Sequence, residues 1–192
     1  MSKFLACAAL ALVACQPGAS AQEKPAEQQI GEAILALPES FRADAAVLGF
    51  NRGKLVVLRE GTNEMICLTD TPGDERWQVA CYHKDLDPFM ARGRELRAEG
   101  KSADDRRTIR FAEIEAGDLE MPGYPTTLYV LSGPVGAYDA ATGEVNGASP
   151  RYVLYIPYAT QEQTGISTEP SRERIWLMLP GTPGAHIMIP GS

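Results

Sequence analysis

Two cysteines placed on either side of a turn constrain this chain more than any other feature. Cys67 lies in the β-rich run 64–69 and Cys81 in the run 76–81, and between them stands Thr71-Pro72-Gly73-Asp74-Glu75. Proline fixes φ and glycine supplies backbone angles that other residues avoid, so the two runs are expected to fold back as a hairpin. With Asp74 at its centre, Cys67 falls directly across from Cys81, at a spacing a disulfide bridges. The same register sets Met65 across from His83.

A second hairpin is written into residues 175–189, two apolar runs joined by Pro180-Gly181-Thr182-Pro183-Gly184. Centring it on Thr182 pairs Leu179 with Ala185, Met178 with His186, Leu177 with Ile187 and Trp176 with Met188. One face then carries Ile175, Leu177, Leu179, Ile187 and Ile189. Burying an aliphatic side chain contributes about 1.5–3 kcal/mol, which commits that face to the core. The other carries Trp176, Met178, His186 and Met188.

The cysteine pairing requires an oxidising compartment, and the first residues point to one. Lys3 precedes an apolar run, residues 4–14, too short to span a bilayer but matching the middle of an export signal. Two ends are readable. Ala19-Ser20-Ala21 is a small-residue cleavage site, while Leu12-Val13-Ala14-Cys15 resembles the lipobox of bacterial lipoprotein signals. That resemblance implies acylation of Cys15 as the new first residue and a membrane partner through its lipid. Residues 1–21 are therefore expected to be export signal, cut before Cys15 or after Ala21, and the protein periplasmic or otherwise in the cell envelope. Cys67 and Cys81 are the thiols left to pair with one another, and a metal-binding thiol pair is the competing reading.

Residues 16–29, rich in Gln, Glu, Ala and Pro, are expected to be a flexible tether, because they hold too little apolar surface to offset the entropy of ordering. A single domain over 30–192 follows. Ile30, Ala33, Ile34 and Leu37 recur at helical spacing up to Pro38. Residues 45–50 and 55–59 flank Asn51-Arg52-Gly53, expected as a three-residue hairpin loop. Val56, Val57 and Leu58 lack polar alternation and predict an interior strand covered on both faces. With the cysteine hairpin these strands predict a four-strand meander. Asp87-Pro88 predicts a helix with Asp87 as its cap, and Ser102 opens a second that ends at Gly117. Strands follow near 126–131 and 151–158, separated by a long loop over 133–150, and a polar loop over 160–174 leads to the last hairpin. The fold class is α+β: one largely antiparallel sheet of seven or eight strands, with an inserted helical pair and a short N-terminal helix.

The function is far less constrained. The formal charge of -7 opposes a polyanion, so nucleic acid is not an expected partner. Residues 84–110 hold a slight basic surplus that would suit an anion, but a solvated helix face, with Arg92 and Glu95 or Arg97 and Lys101 in solvent, is the preferred explanation. No short catalytic motif of the common hydrolase, metalloprotease, nucleotide-binding or haem types is present. The chain has two histidines. His83 with Asp85, in HKDLD, is a candidate for a hydrolase-like general base and its orienting carboxylate. Met178, His186 and Met188 offer thioether and imidazole ligands that suit Cu(I). Their types are similar to those of periplasmic copper(I)- or silver(I)-binding proteins, which is what makes Cu(I) the one cofactor to weigh. The reading preferred over both is non-enzymatic: binding of a small ligand or an envelope protein, or a structural role.

Overall fold

The computed structural model describes residues 23–191; the expected export signal, both of its readable ends and Cys15 lie outside the described residues. The chain is α+β, with eight strands in one mostly antiparallel sheet and five α-helices among the described residues. No helix among the described residues is long and apolar enough to cross a membrane.

The N-terminal helix α1 (Ala26–Ala33) continues into a short 3-10 turn (Ile34–Ala36), and α2 (Glu39–Arg42) leads into β1 (Ala46–Asn51) and β2 (Lys54–Arg59). Then come β3 (Met65–Leu68), β4 (Trp77–His83), α3 (Asp87–Ala98), α4 (Ala103–Ala116), β5 (Thr126–Gly133), β6 (Ser149–Tyr155), α5 (Gln161–Thr164), β7 (Trp176–Met178) and β8 (His186–Pro190). The strand order is β2-β1-β3-β4-β5-β6-β8-β7.

The expected meander is corrected at its start. β1 pairs with β2 on one side and, in parallel, with β3 on the other. The link after β2 recrosses the start of β1: the backbone N–H groups of Thr62 and Asn63 both donate to the Asp44 carbonyl, at 2.8 and 3.1 Å. Gly61 makes that crossing possible, because a Cβ there would lie 2.3 Å from the Ala46 nitrogen. β2 is therefore an edge strand, not the interior strand that Val56–Val57–Leu58 predicted. Val57 is 52% exposed, and Lys54 and Arg59 bound the edge with charge, a common guard against edge-to-edge pairing. The β1–β2 turn is also tighter than expected. Asn51 pairs with Lys54, and Arg52 and Gly53 both take positive φ, so the loop has two residues of the type that matches strand twist.

The expected tether is corrected at its end. Residues 23–29 belong to the domain. The Glu23 carboxylate accepts from the Arg52 and Gly53 amides, both at 2.9 Å. Gln29 is buried and grips β1: its Oε1 accepts from the Phe50 N–H at 2.7 Å and its Nε2 donates to the Phe50 carbonyl at 2.9 Å. Polar side chains secure this segment, and a composition poor in apolar residues does not register them.

The cysteine hairpin keeps the expected register, with Met65 opposite His83 and Cys67 opposite Cys81, and the disulfide is closed. Alternation along β4 sends Cys81 to one face and Tyr82 to the other. On the first face Ala33 and Leu37 of the N-terminal helical segment pack over Val47, Met65 and the disulfide. On the second, Leu86 and Phe89 pack with Tyr82, Val153 and Tyr155 beneath α3 and α4. α4 begins at Ser102, whose side chain accepts from the Asp105 N–H, and ends at left-handed Gly117, as the sequence predicts. Asp87 is not the cap of α3. It is the first helical residue, and its carboxylate accepts instead from the Tyr82 hydroxyl at 2.7 Å and from Arg94 at 3.0 Å.

Candidate functional site

Each sequence-derived candidate can now be placed. His83 and Asp85 meet at the end of β4, where the His83 Nδ1 accepts from the Asp85 N–H at 3.3 Å and lies 3.4 Å from the Asp85 carboxylate. A carboxylate orienting a neutral general base needs Nδ1 to donate to it. Here the backbone amide already takes that nitrogen's lone pair, and the Asp85 carboxylate also accepts from the Tyr124 hydroxyl. His83 shares the disulfide's face, whereas His186 lies with Met188 on the face of Tyr82 and Val153, so the two histidines do not converge.

The terminal hairpin has the expected register: Trp176 pairs with Met188, Leu177 with Ile187 and Met178 with His186. Its two faces are less unequal than the aliphatic count predicts. Leu177 is fully buried, yet Ile175 is 50% exposed, and His186 is buried against Tyr155 with ring centroids 5.0 Å apart. Cover decides this: the helical pair lies over the histidine face, while α1 sits on the distant half of the sheet. The His186 Nδ1 is 2.7 Å from the Gly184 carbonyl. A carbonyl only accepts, so that nitrogen carries the proton and Nε2 keeps the lone pair. Burial pushes the His186 pKa below its usual value, and the charge of Arg151 adds to the push, against the Gly184 bond. The same charge repels a metal cation beside Met178 and Met188.

The basic surplus of residues 84–110 is spent within the protein. Arg92 pairs with Glu113 at 2.8 Å, Arg94 with Asp87 at 3.0 Å, Arg97 with Asp74 at 2.7 Å and Arg107 with Asp104 at 3.0 Å.

The most developed site lies elsewhere, in a cleft of about 350 Å³ between the start of α1, the β3–β4 turn and the loop after β5. Its floor is Glu32, which has no solvent exposure. One carboxylate oxygen accepts from the Thr69 hydroxyl at 2.5 Å; the other accepts from the Trp77 indole N–H at 2.9 Å and from the Lys24 ammonium at 2.6 Å. The partners converge from three parts of the chain, and they satisfy the charge where burial would otherwise penalise it heavily. Asp70 stands at the rim, 3.5 Å from Lys24. Burial raises its pKa above the usual carboxylate value and Glu32 adds to the effect, while the Gln78 amide and Lys24 oppose it. Tyr138 closes one side, its ring near-parallel to that of Trp77 at 6.4 Å between centroids. Asp74 and Arg76 complete the mouth.

The cleft's local chemistry follows from helix geometry. Gln29, Glu32 and Ala33 share one buried face of α1, as the spacing i, i+3, i+4 requires. Hydrophobic periodicity marks the apolar residues of this helix and leaves the polar ones on the same face unmarked. Glu32 carries no local mark that separates it from a solvent-facing glutamate.

Comparison with models of known protein families, with curated proteins and with solved structures gave no match.

Proposed function

We propose that this is an exported, lipid-anchored protein of the cell envelope, and that it binds a small ligand carrying a basic nitrogen in the Glu32 cleft. The observation that carries the binding reading is the Lys24–Glu32 contact. The buried carboxylate already accepts an ammonium group, held at the cleft mouth on a side chain 37% exposed. A ligand's ammonium would take the place of the chain's own. Asp70 and Asp74 add negative charge, and the half-buried ring of Tyr138 at the cleft's side suits a cation and its apolar substituent. Support for export and anchoring comes from the signal-like first residues, the lipobox resemblance at Cys15 and the Cys67–Cys81 disulfide.

Cu(I) binding at Met178, His186 and Met188 is the second reading. Its support is the pairing of Met178 directly across from His186, with the ring's Nε2 left as the lone-pair nitrogen. The nearby Arg151 charge ranks it behind the cleft.

The cleft reading is tested by chemical rescue. Lys24→Ala removes the resident ammonium and should lower the melting temperature; millimolar n-butylamine should then raise that temperature more than it does for the unaltered protein. The gain should vanish in Lys24→Ala/Glu32→Gln. No selective rescue means the carboxylate serves only to hold α1 in place. Anchoring is tested separately: Cys15→Ala should move the protein from the membrane fraction to the soluble one, and mass spectrometry that found the mature chain beginning after Ala21 would exclude acylation.

A further inference from the structure

A second cleft, of about 550 Å³, opens at the far end of the sheet on the face opposite the disulfide. Strand register builds it. Ser132 of β5 pairs with Ser149 of β6, and Arg151, two residues on, points to the same face beside Pro190 of β8. Ser171 and Arg172, from the loop before β7, form the opposing wall, and Trp176 and Met188 form the apolar side.

Two features single it out. Its lining carries two arginines and, among the described residues, no carboxylate, in a protein with a formal charge of -7. The ion pairs that hold Arg92, Arg94, Arg97 and Arg107 do not reach this pair among the described residues. The Arg151 Nε is also buried with no hydrogen-bond partner, the one such side-chain atom among the described residues. A donor desolvated in this way is destabilising, and native proteins leave few of them unexplained. A guanidinium is a planar fork of donors that suits an oxyanion.

We propose that Arg151 and Arg172 form an oxyanion subsite for a soluble phosphate monoester whose organic group lies against Trp176 and Met188. Phosphate is preferred to carboxylate because Ser132, Ser149 and Ser171 add hydroxyl donors to the two guanidinium groups, more than a carboxylate's two oxygens require. The subsite shares no residue with the Glu32 cleft and stands or falls independently of it.

The test is calorimetric titration of the full chain with phenyl phosphate, beside parallel arms with benzoate, inorganic phosphate and phosphatidylglycerol vesicles. Phenyl phosphate should bind saturably and more tightly than inorganic phosphate or benzoate. Arg151→Met should weaken it by at least about tenfold, Arg172→Met should weaken it less, and Arg107→Met on α4 should leave it unchanged. Without ligand, Arg151→Met should melt no lower than the unaltered protein, since it removes the orphaned donor, and this reading separates loss of binding from loss of folding. Equal binding by Arg151→Met overturns the proposal. So does benzoate binding as tightly as phenyl phosphate, and so does binding to vesicles alone, which would make the source a lipid headgroup.

Discussion

Replacing Glu32 separates what its charge does from what its hydrogen bonds do. In Glu32→Gln the amide can be oriented so that its oxygen stands where the Trp77 N–H and Lys24 donate, and its NH₂ group faces the Thr69 hydroxyl, which can accept as well as donate. Only the charge is lost, and Lys24 keeps Asp70 at 3.5 Å. The expected loss is about 1 kcal/mol, the difference between charge-assisted and neutral bonds, partly screened because Lys24 is only half-buried. Glu32→Met keeps the volume and removes every acceptor. The Trp77 N–H and the Thr69 hydroxyl are then buried without partners at about 1–3 kcal/mol each, and the added apolar burial returns about 1–2 kcal/mol. The net loss is about 2–3 kcal/mol, or a drop in Tm of about 4–12 °C for a chain of this size. Urea unfolding at pH 7 followed by far-UV circular dichroism measures both. Equal destabilisation by Gln and Met, or a Met variant as stable as the unaltered protein, would refute the claim that these hydrogen bonds hold α1 to the sheet.

Two pH effects of opposite sign follow from the burial of ionisable groups. Asp70 binds its proton more tightly folded than unfolded, so its contribution is unfavourable near neutral pH and fades as pH falls to about 4. Asp70→Asn, which keeps the acceptor for the Gln78 amide, should be more stable than the unaltered protein at pH 7, with an advantage that shrinks toward pH 4 in paired urea curves. His186 binds its proton more weakly folded; its contribution is present above about pH 6.5 and is lost as pH falls below it. His186→Gln should therefore lose less stability than the unaltered protein between about pH 7 and pH 5, measured the same way. The Cys67–Cys81 bridge spans a sequence separation of 14, so Cys67→Ala/Cys81→Ala should lose about 3 kcal/mol and about 6–12 °C in Tm by calorimetry.

What the sequence disclosed was set by turns. At Asp74 and Thr182 the local backbone chemistry fixes where the chain reverses, and from there alternation alone carries Cys67 to Cys81 and Met178 to His186. The same logic predicted β2 as an interior strand and failed, because the parallel pairing of β1 with β3 depends on Gly61 crossing the start of β1, a contact between segments that hydrophobic patterning does not encode. The Glu32 cleft was illegible for a related reason. Thr69 and Trp77 lie 37 and 45 residues from Glu32 in sequence, and Lys24 falls in a stretch whose composition resembles a tether. The Arg151 subsite needed the pairing of β5, β6 and β8 before Ser132, Ser149 and Arg151 could be seen on one face.

The chain has two tryptophans, one in each cleft. A ¹H–¹⁵N spectrum of the indole groups during titration with n-butylamine therefore tests the central claim directly. The Trp77 indole signal, whose N–H donates to Glu32, should shift saturably while that of Trp176 stays in place, and the shift should enlarge in Lys24→Ala. A Trp77 signal that does not move, or amine binding reported by Trp176 alone, would contradict the account.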